Sequence, residues 1–117
     1  MTRVLLVTCG GEVRSVTASG HAAWSVKGSD IVCAGVSALL GTALSLLENT
    51  EGIKVTADTS LRGSLEFSLE VVLKEDGEKR KLLSERLKCT ADFIRHGITS
   101  IAREYPSNVD FQEKVNG

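Results

Sequence analysis

Few side chains in this chain can do nucleophilic or acid–base chemistry at neutral pH: three cysteines, Cys9, Cys33 and Cys89, and two histidines, His21 and His96. The cysteines stand 24 and 56 residues apart, which makes neither a C-x-x-C pair nor a zinc-ligand pattern, and an odd number cannot pair off within the chain. A disulfide scaffold and a structural metal are therefore disfavoured, and the thiols read as free cysteines of a reducing compartment. The start, Met1 to Cys9, carries one Arg and a short apolar run without a signal-peptide cleavage site. The expected location is the cytoplasm.

Cys33 has the most suggestive setting. Ser29-Asp30 reads as the N-cap of an uncharged helix over Ile31–Leu47, which puts Cys33 in its first turn. Unpaired N–H groups and a partial positive charge at a helix start favour thiolate over thiol. They can bring a cysteine from about 8.5 into a range of roughly 3.5–7.5. A thiolate nucleophile also needs a proton-transfer partner. His21, twelve residues upstream, opens the Gly20–Ser29 loop that leads into this helix. Gly20 lets the backbone turn beside His21, and Gly28 with Ser29 permits a tight approach to the cap. N–H groups around Cys33 offer an oxyanion hole. The residue types alone leave a structural reading open, since cysteine is among the most buried residues and a histidine beside a glycine is commonly a turn residue.

The remaining candidates are weaker. Cys9 ends a strand beside a turn. Cys89 shares a helix back face with Leu82 and Phe93, a second apolar patch that reads either as a subunit interface or as a partly exposed surface under the tail. His96 reads as a surface histidine. Lys79, Arg80, Lys81, Arg86, Lys88, Arg95 and Arg103 make the second helix basic. Glu78, Glu85, Asp92 and Glu104 are interspersed, so a solvated, ion-paired face is the default.

The elements that must position these residues follow from periodicity. Length and a 42% hydrophobic, 25% charged composition suit one domain over residues 1–117 with one core. Residues 2–19 read as a β-hairpin turning at Gly10-Gly11. Ile31–Leu47 reads as a buried helix, shorter than the roughly 20 residues that span a bilayer, so no membrane is expected. Ile53–Asp58 is a strand, and the period of two through Leu65, Phe67, Leu69, Val71 and Leu73 marks another. From Glu78 the period changes: Leu83, Leu87, Ala91, Ile94, Ile98, Ile101 and Tyr105 form one helical stripe ending at Pro106. The tail from Ser107 is irregular or a short added strand. The order ββαββα implies an α+β fold, an antiparallel or mixed sheet packed with two main helices.

The stretch Gly20 to Leu39, GHAAWSVKGSDIVCAGVSAL, resembles the signature of the bacterial ribosomal-processing cysteine protease family, Prp. The matching residues are Gly20, His21, Ala22, Gly28, Asp30, Ile31, Val32, Cys33, Ala34 and Ser37. Phe93 to Pro106 resembles the family's C-terminal helix, and length and element order agree over essentially the whole chain. The resemblance implies a Cys–His endopeptidase with His21 as base and Cys33 as nucleophile. The substrate it implies is the precursor of large-subunit ribosomal protein number twenty-seven, which loses a short N-terminal extension. It further implies a small α+β fold that forms homodimers, and it brings in neither cofactor nor metal. Asp30 and Ser37 stand at motif positions as helix cap, loop anchor or orienter of the dyad. Trp24 lies where the family varies, and the loop Ala22 to Gly28 around it is a candidate lid over a bound peptide.

Two other classes remain in play. A non-catalytic ribosome-assembly or RNA-binding module would draw on the basic second helix. A balance of 14 basic against 15 acidic residues and 4% aromatics argue against direct nucleic-acid binding. A thiol redox sensor would use Cys33 as a low-pKa site.

Overall fold

The computed structural model describes residues 1–20, 29–59 and 64–116, and of residues 29 and 30 the backbone alone. Alternation decides the first hairpin. In β1 (Thr2–Cys9), Thr2, Val4, Leu6 and Thr8 are buried on one face while Arg3 and Leu5 face outward. β2 (Glu12–Ser19) pairs antiparallel with it through a two-residue turn at Gly10 (φ 59°) and Gly11 (φ 83°). Both turn residues need positive φ, which is why two glycines stand there. Val13 and Val16 are both fully buried although three positions apart, which strict alternation forbids. A bulge opposite Val7/Thr8 supplies the extra residue and resets the register.

β3 (Ile53–Asp58) and β4 (Leu65–Val71) form a second antiparallel pair, and β4 joins β2. Alternation in the sequence carries β4 to Leu73, but the strand ends at Val71. The N–H groups of Val72 and Leu73 instead donate to Gly52 O at 2.9 and 3.1 Å. The tail becomes a full strand, β5 (Val109–Asn116), running parallel to β1 from Thr2↔Val109 to Cys9↔Asn116. The sheet is thus mixed, in the order β3-β4-β2-β1-β5.

Two helices cover the buried face. In α2 (Glu78–Glu104), Leu83, Leu87, Ala91, Ile94 and Ile98 are buried as their spacing predicts. α1 (Ser29–Glu48) departs from the expectation of a buried helix. It buries the stripe Val32, Val36, Leu40, Ala43 and Leu47, and leaves its other side open, with Ile31 63% and Leu46 41% exposed. An uncharged sequence carries no polar face to mark the outside, so composition alone makes this helix look buried all round. By length and composition the segment Ile31–Glu48 could cross a membrane, but its buried stripe belongs to the core of this fold. Gly97 lets the helices meet: a Cβ there would run into Leu39 Cδ1. The end of α1 is tied down by Thr50, whose hydroxyl donates to Leu46 O at 2.7 Å and accepts from Arg86 Nε at 2.8 Å.

Candidate active site

The site is built where β1 begins, β2 ends and α1 starts. Thr2 opens β1 on the inward face and is only 7% exposed. Its backbone N–H donates to Asn108 O at 2.8 Å, just ahead of β5. Its Oγ1 lies 3.9 Å from Cys33 Sγ, across 31 positions of sequence. Among the described residues this hydroxyl is the group within hydrogen-bonding reach of the Cys33 sulfur. Cys33 itself is half-buried and free.

Gly20 closes the other side. Its φ is 87°, and a Cβ on it would sit 2.7 Å from the carbonyl oxygen of Met1. Only glycine combines that dihedral with so close a backbone approach. The end of β2 is thereby pressed against Met1, the residue next to Thr2. Gly20, Met1, Thr2 and Cys33 form one continuous chain of neighbours at this end of the molecule.

α1 opens at Ser29, so Ser29 and Asp30, expected as cap, are helical, and Cys33 is the fifth residue rather than a first-turn residue. Its own N–H is engaged in the helical ladder. The free donors of the helix start are those of the preceding turn. Ser37 stands one turn beyond Cys33 on the exposed side, lining a shallow groove with Ala38, Gly41 and Thr42. His21, Trp24 and Gly28 lie outside the described residues, as does the loop expected to act as a lid, and Asp30 is placed by its backbone alone.

The other cysteines are elsewhere. Cys9 pairs with Glu12 beside the hairpin turn, at the far end of β1. Cys89 is exposed on α2 near Leu82 and Phe93, which are 61% and 46% exposed. Among the described residues no three His, Cys, Asp or Glu side chains gather as a metal-binding group.

The arginines of α2 are largely committed within the chain. Arg95 grips Glu113 of β5 through Nε and Nη2, each at 2.7 Å, and also meets Asp92. Arg86 binds Thr50, and Arg80 reaches Glu12 at 3.3 Å. Three of the seven basic residues from which an RNA-binding reading starts, Arg80, Arg86 and Arg95, thus hold contacts within the chain. Sequence reading missed the buried Glu12, which accepts from Ser84 Oγ at 2.6 Å and Arg14 Nη2 at 3.0 Å besides Arg80. Burial pushes its carboxyl up, but these hydrogen bonds outweigh burial and hold it below the usual carboxylate value. The cluster joins the hairpin tip to the start of α2, at the opposite end from Cys33. It is a structural tie.

The sequence profile of cysteine protease Prp matches residues 1–110. The chain belongs to the Prp cysteine protease family. A ribosomal processing cysteine protease Prp from Mycoplasma pneumoniae is 31% identical over 99 residues, covering 85% of this chain and 86% of the relative. A crystal structure of the Streptococcus mutans protein SMU.848 matches with a TM-score of 0.72 at 25% identity, covering 99% and 96% of the two chains. The Prp of Staphylococcus aureus, crystallised with a substrate peptide, shares the fold at a TM-score of 0.74 and 19% identity, covering 97% of this chain and all of that one. This chain is a cysteine protease of the Prp family with the family's α+β fold, as its sequence resemblance implied.

Proposed function

We propose that this Prp-family protease removes the short N-terminal extension from the precursor of large-subunit ribosomal protein number twenty-seven, using Cys33 as nucleophile and His21 as its acid–base partner. The observation that carries the reading is the convergence of Gly20 and Cys33 at one end of the fold, bridged by Met1 and Thr2. His21 follows Gly20 directly in the sequence. The relative named a ribosomal processing protease supports the substrate class.

The chemistry runs in two halves. The Cys33 thiolate attacks the scissile carbonyl, and N–H groups at the start of α1 stabilise the developing oxyanion. His21 as imidazolium protonates the leaving amine, and as imidazole then activates the water that hydrolyses the acyl-enzyme. Asp30 and Ser37 serve as loop anchor or orienter of the dyad. Trp24 and the loop around it cover the bound chain. No cofactor or metal takes part in these steps. The protein works in the cytoplasm as a homodimer, for which the exposed Leu82 and Phe93 of α2 offer apolar surface.

The test is direct. The purified protein and its Cys33→Ala and His21→Ala variants are incubated with the extended ribosomal protein, and the new N-terminus is read by mass spectrometry. Cleavage by the wild type and by neither variant is expected. Cleavage that persists in Cys33→Ala sinks the reading. Sedimentation of the same samples checks the dimer.

A further inference from the structure

We infer that Thr2 is a positioning residue for the Cys33 thiolate, its hydroxyl donating a hydrogen bond to Sγ when the thiol ionises. The inference rests on the proposal that Cys33 is the nucleophile. Three observations carry it. Thr2 Oγ1 lies 3.9 Å from Sγ, within reach of a sulfur acceptor. Thr2 is almost wholly buried, so water does not compete freely for its hydroxyl. Its backbone is fixed along the β5 side, where its N–H donates to Asn108 O within the register Thr2↔Val109. The hydroxyl is therefore held on the sulfur's side of the strand by the sheet itself.

The chemistry follows from what each group can do. A thiol can donate to a hydroxyl oxygen, but a thiolate can only accept, so on ionisation the rotor of Thr2 turns its proton toward sulfur. A hydrogen bond to the charged form favours that form. The position of Cys33 gives this donor something to add. As the fifth residue of α1, Cys33 lies past the first turn, where the helix-end charge is strongest, and its own N–H is engaged in the ladder. A separation at the long end of the range suits a free enzyme, whose catalytic hydrogen bonds tighten when substrate arrives.

The experiment measures the pH dependence of Cys33 alkylation by iodoacetamide in a Cys9→Ser, Cys89→Ser background, alongside peptide cleavage. The variants are Thr2→Val, which keeps the shape and loses the hydroxyl, and Thr2→Ser, which keeps the hydroxyl. Thr2→Val is expected to slow alkylation at neutral pH about tenfold. Thr2→Ser is expected to return to the wild-type curve. The fall in kcat/KM follows the fall in alkylation rate. Superimposed curves for Thr2→Val and wild type overturn the inference, as does an equal shift in both variants, which would trace it to packing. If circular dichroism shows Thr2→Val unfolded, Thr2→Ala takes its place under the same criteria. Loss of the Thr2 effect with cleavage still dependent on Cys33 fails this inference alone. Cleavage independent of Cys33 fails the proposed function instead.

Discussion

Replacing Gly20 with alanine should damage both stability and catalysis, and the amount can be worked from its surroundings. Gly10 provides the reference. It also has positive φ, 59°, but a Cβ there would meet nothing within 4 Å. Gly10→Ala should therefore cost only the backbone term of a left-handed residue, about 1–2 kcal/mol. Gly20→Ala carries that term at φ 87° and adds a Cβ 2.7 Å from the Met1 carbonyl oxygen. Both partners are backbone, so no side chain can swing away to relieve the overlap. The overpacking adds about 1–3 kcal/mol, for a total of roughly 2–5 kcal/mol. Urea denaturation followed by circular dichroism measures both variants. The relief available is a shift of Met1, which drags Thr2 from Cys33, so kcat/KM for peptide cleavage should fall in folded Gly20→Ala. Gly10 lies about 26 Å away along β1, and its variant should cleave normally. Equal stability costs at the two glycines, or full activity in Gly20→Ala, would refute the claim that the Gly20–Met1 contact shapes the site.

Two further predictions concern the scaffold. Glu12→Gln should destabilise the protein by about 1–3 kcal/mol at pH 7, because a buried, charge-assisted set of hydrogen bonds is weakened. The folded-state carboxyl sits below its ordinary value near 4.5, so its stabilisation is complete above that value and is lost as pH falls through the lowered one. Urea melts at pH 7 and pH 3 should show the gap between wild type and variant narrowing in acid; a gap independent of pH would contradict this. Gly97→Ala should push its Cβ into Leu39 and cost up to about 2 kcal/mol, overpacking of about 1–3 kcal/mol set against a gain of about 1 kcal/mol in helix propensity. In a Leu39→Ala background the same change should instead stabilise, and a double-mutant cycle without coupling would show that the helices do not meet there.

How much of this was legible follows from the range of each interaction. The turn at Gly10-Gly11, the inward face of β4 at Phe67 and Leu69, and the α2 stripe from Leu83 to Ile98 rest on local periodicity and could be read directly. β5 could not. Only Val109 of that strand is buried, and the residues from Gln112 onward carry no alternating pattern; what makes it a strand is parallel pairing with β1, about a hundred residues away in sequence. The open side of α1 was hidden for the opposite reason, since a helix with no charge over Ile31–Leu47 offers no contrast between its faces. Thr2 lies on the inward face with Val4 and Leu6, and nothing local tied its hydroxyl to a thiol 31 residues on.

The same distinction explains why the proposed nucleophile was findable while its setting was not. Cys33 stood out through short-range features, a helix start after a glycine-bounded loop and a histidine twelve residues before it. Those features locate a candidate but leave its environment open, because its neighbours here arrive by tertiary pairing. β5 fixes Thr2 through Asn108 and Val109, β2 delivers Gly20 to Met1, and α1 begins early enough to carry Cys33 past its first turn. Two features thus meet at this sulfur: the helix start, legible in the sequence, and the hydroxyl from the first strand, which was not. A pH profile that moves with Thr2→Val, at unchanged helix content, would separate the two, because the helix start is common to both proteins and the hydroxyl is not.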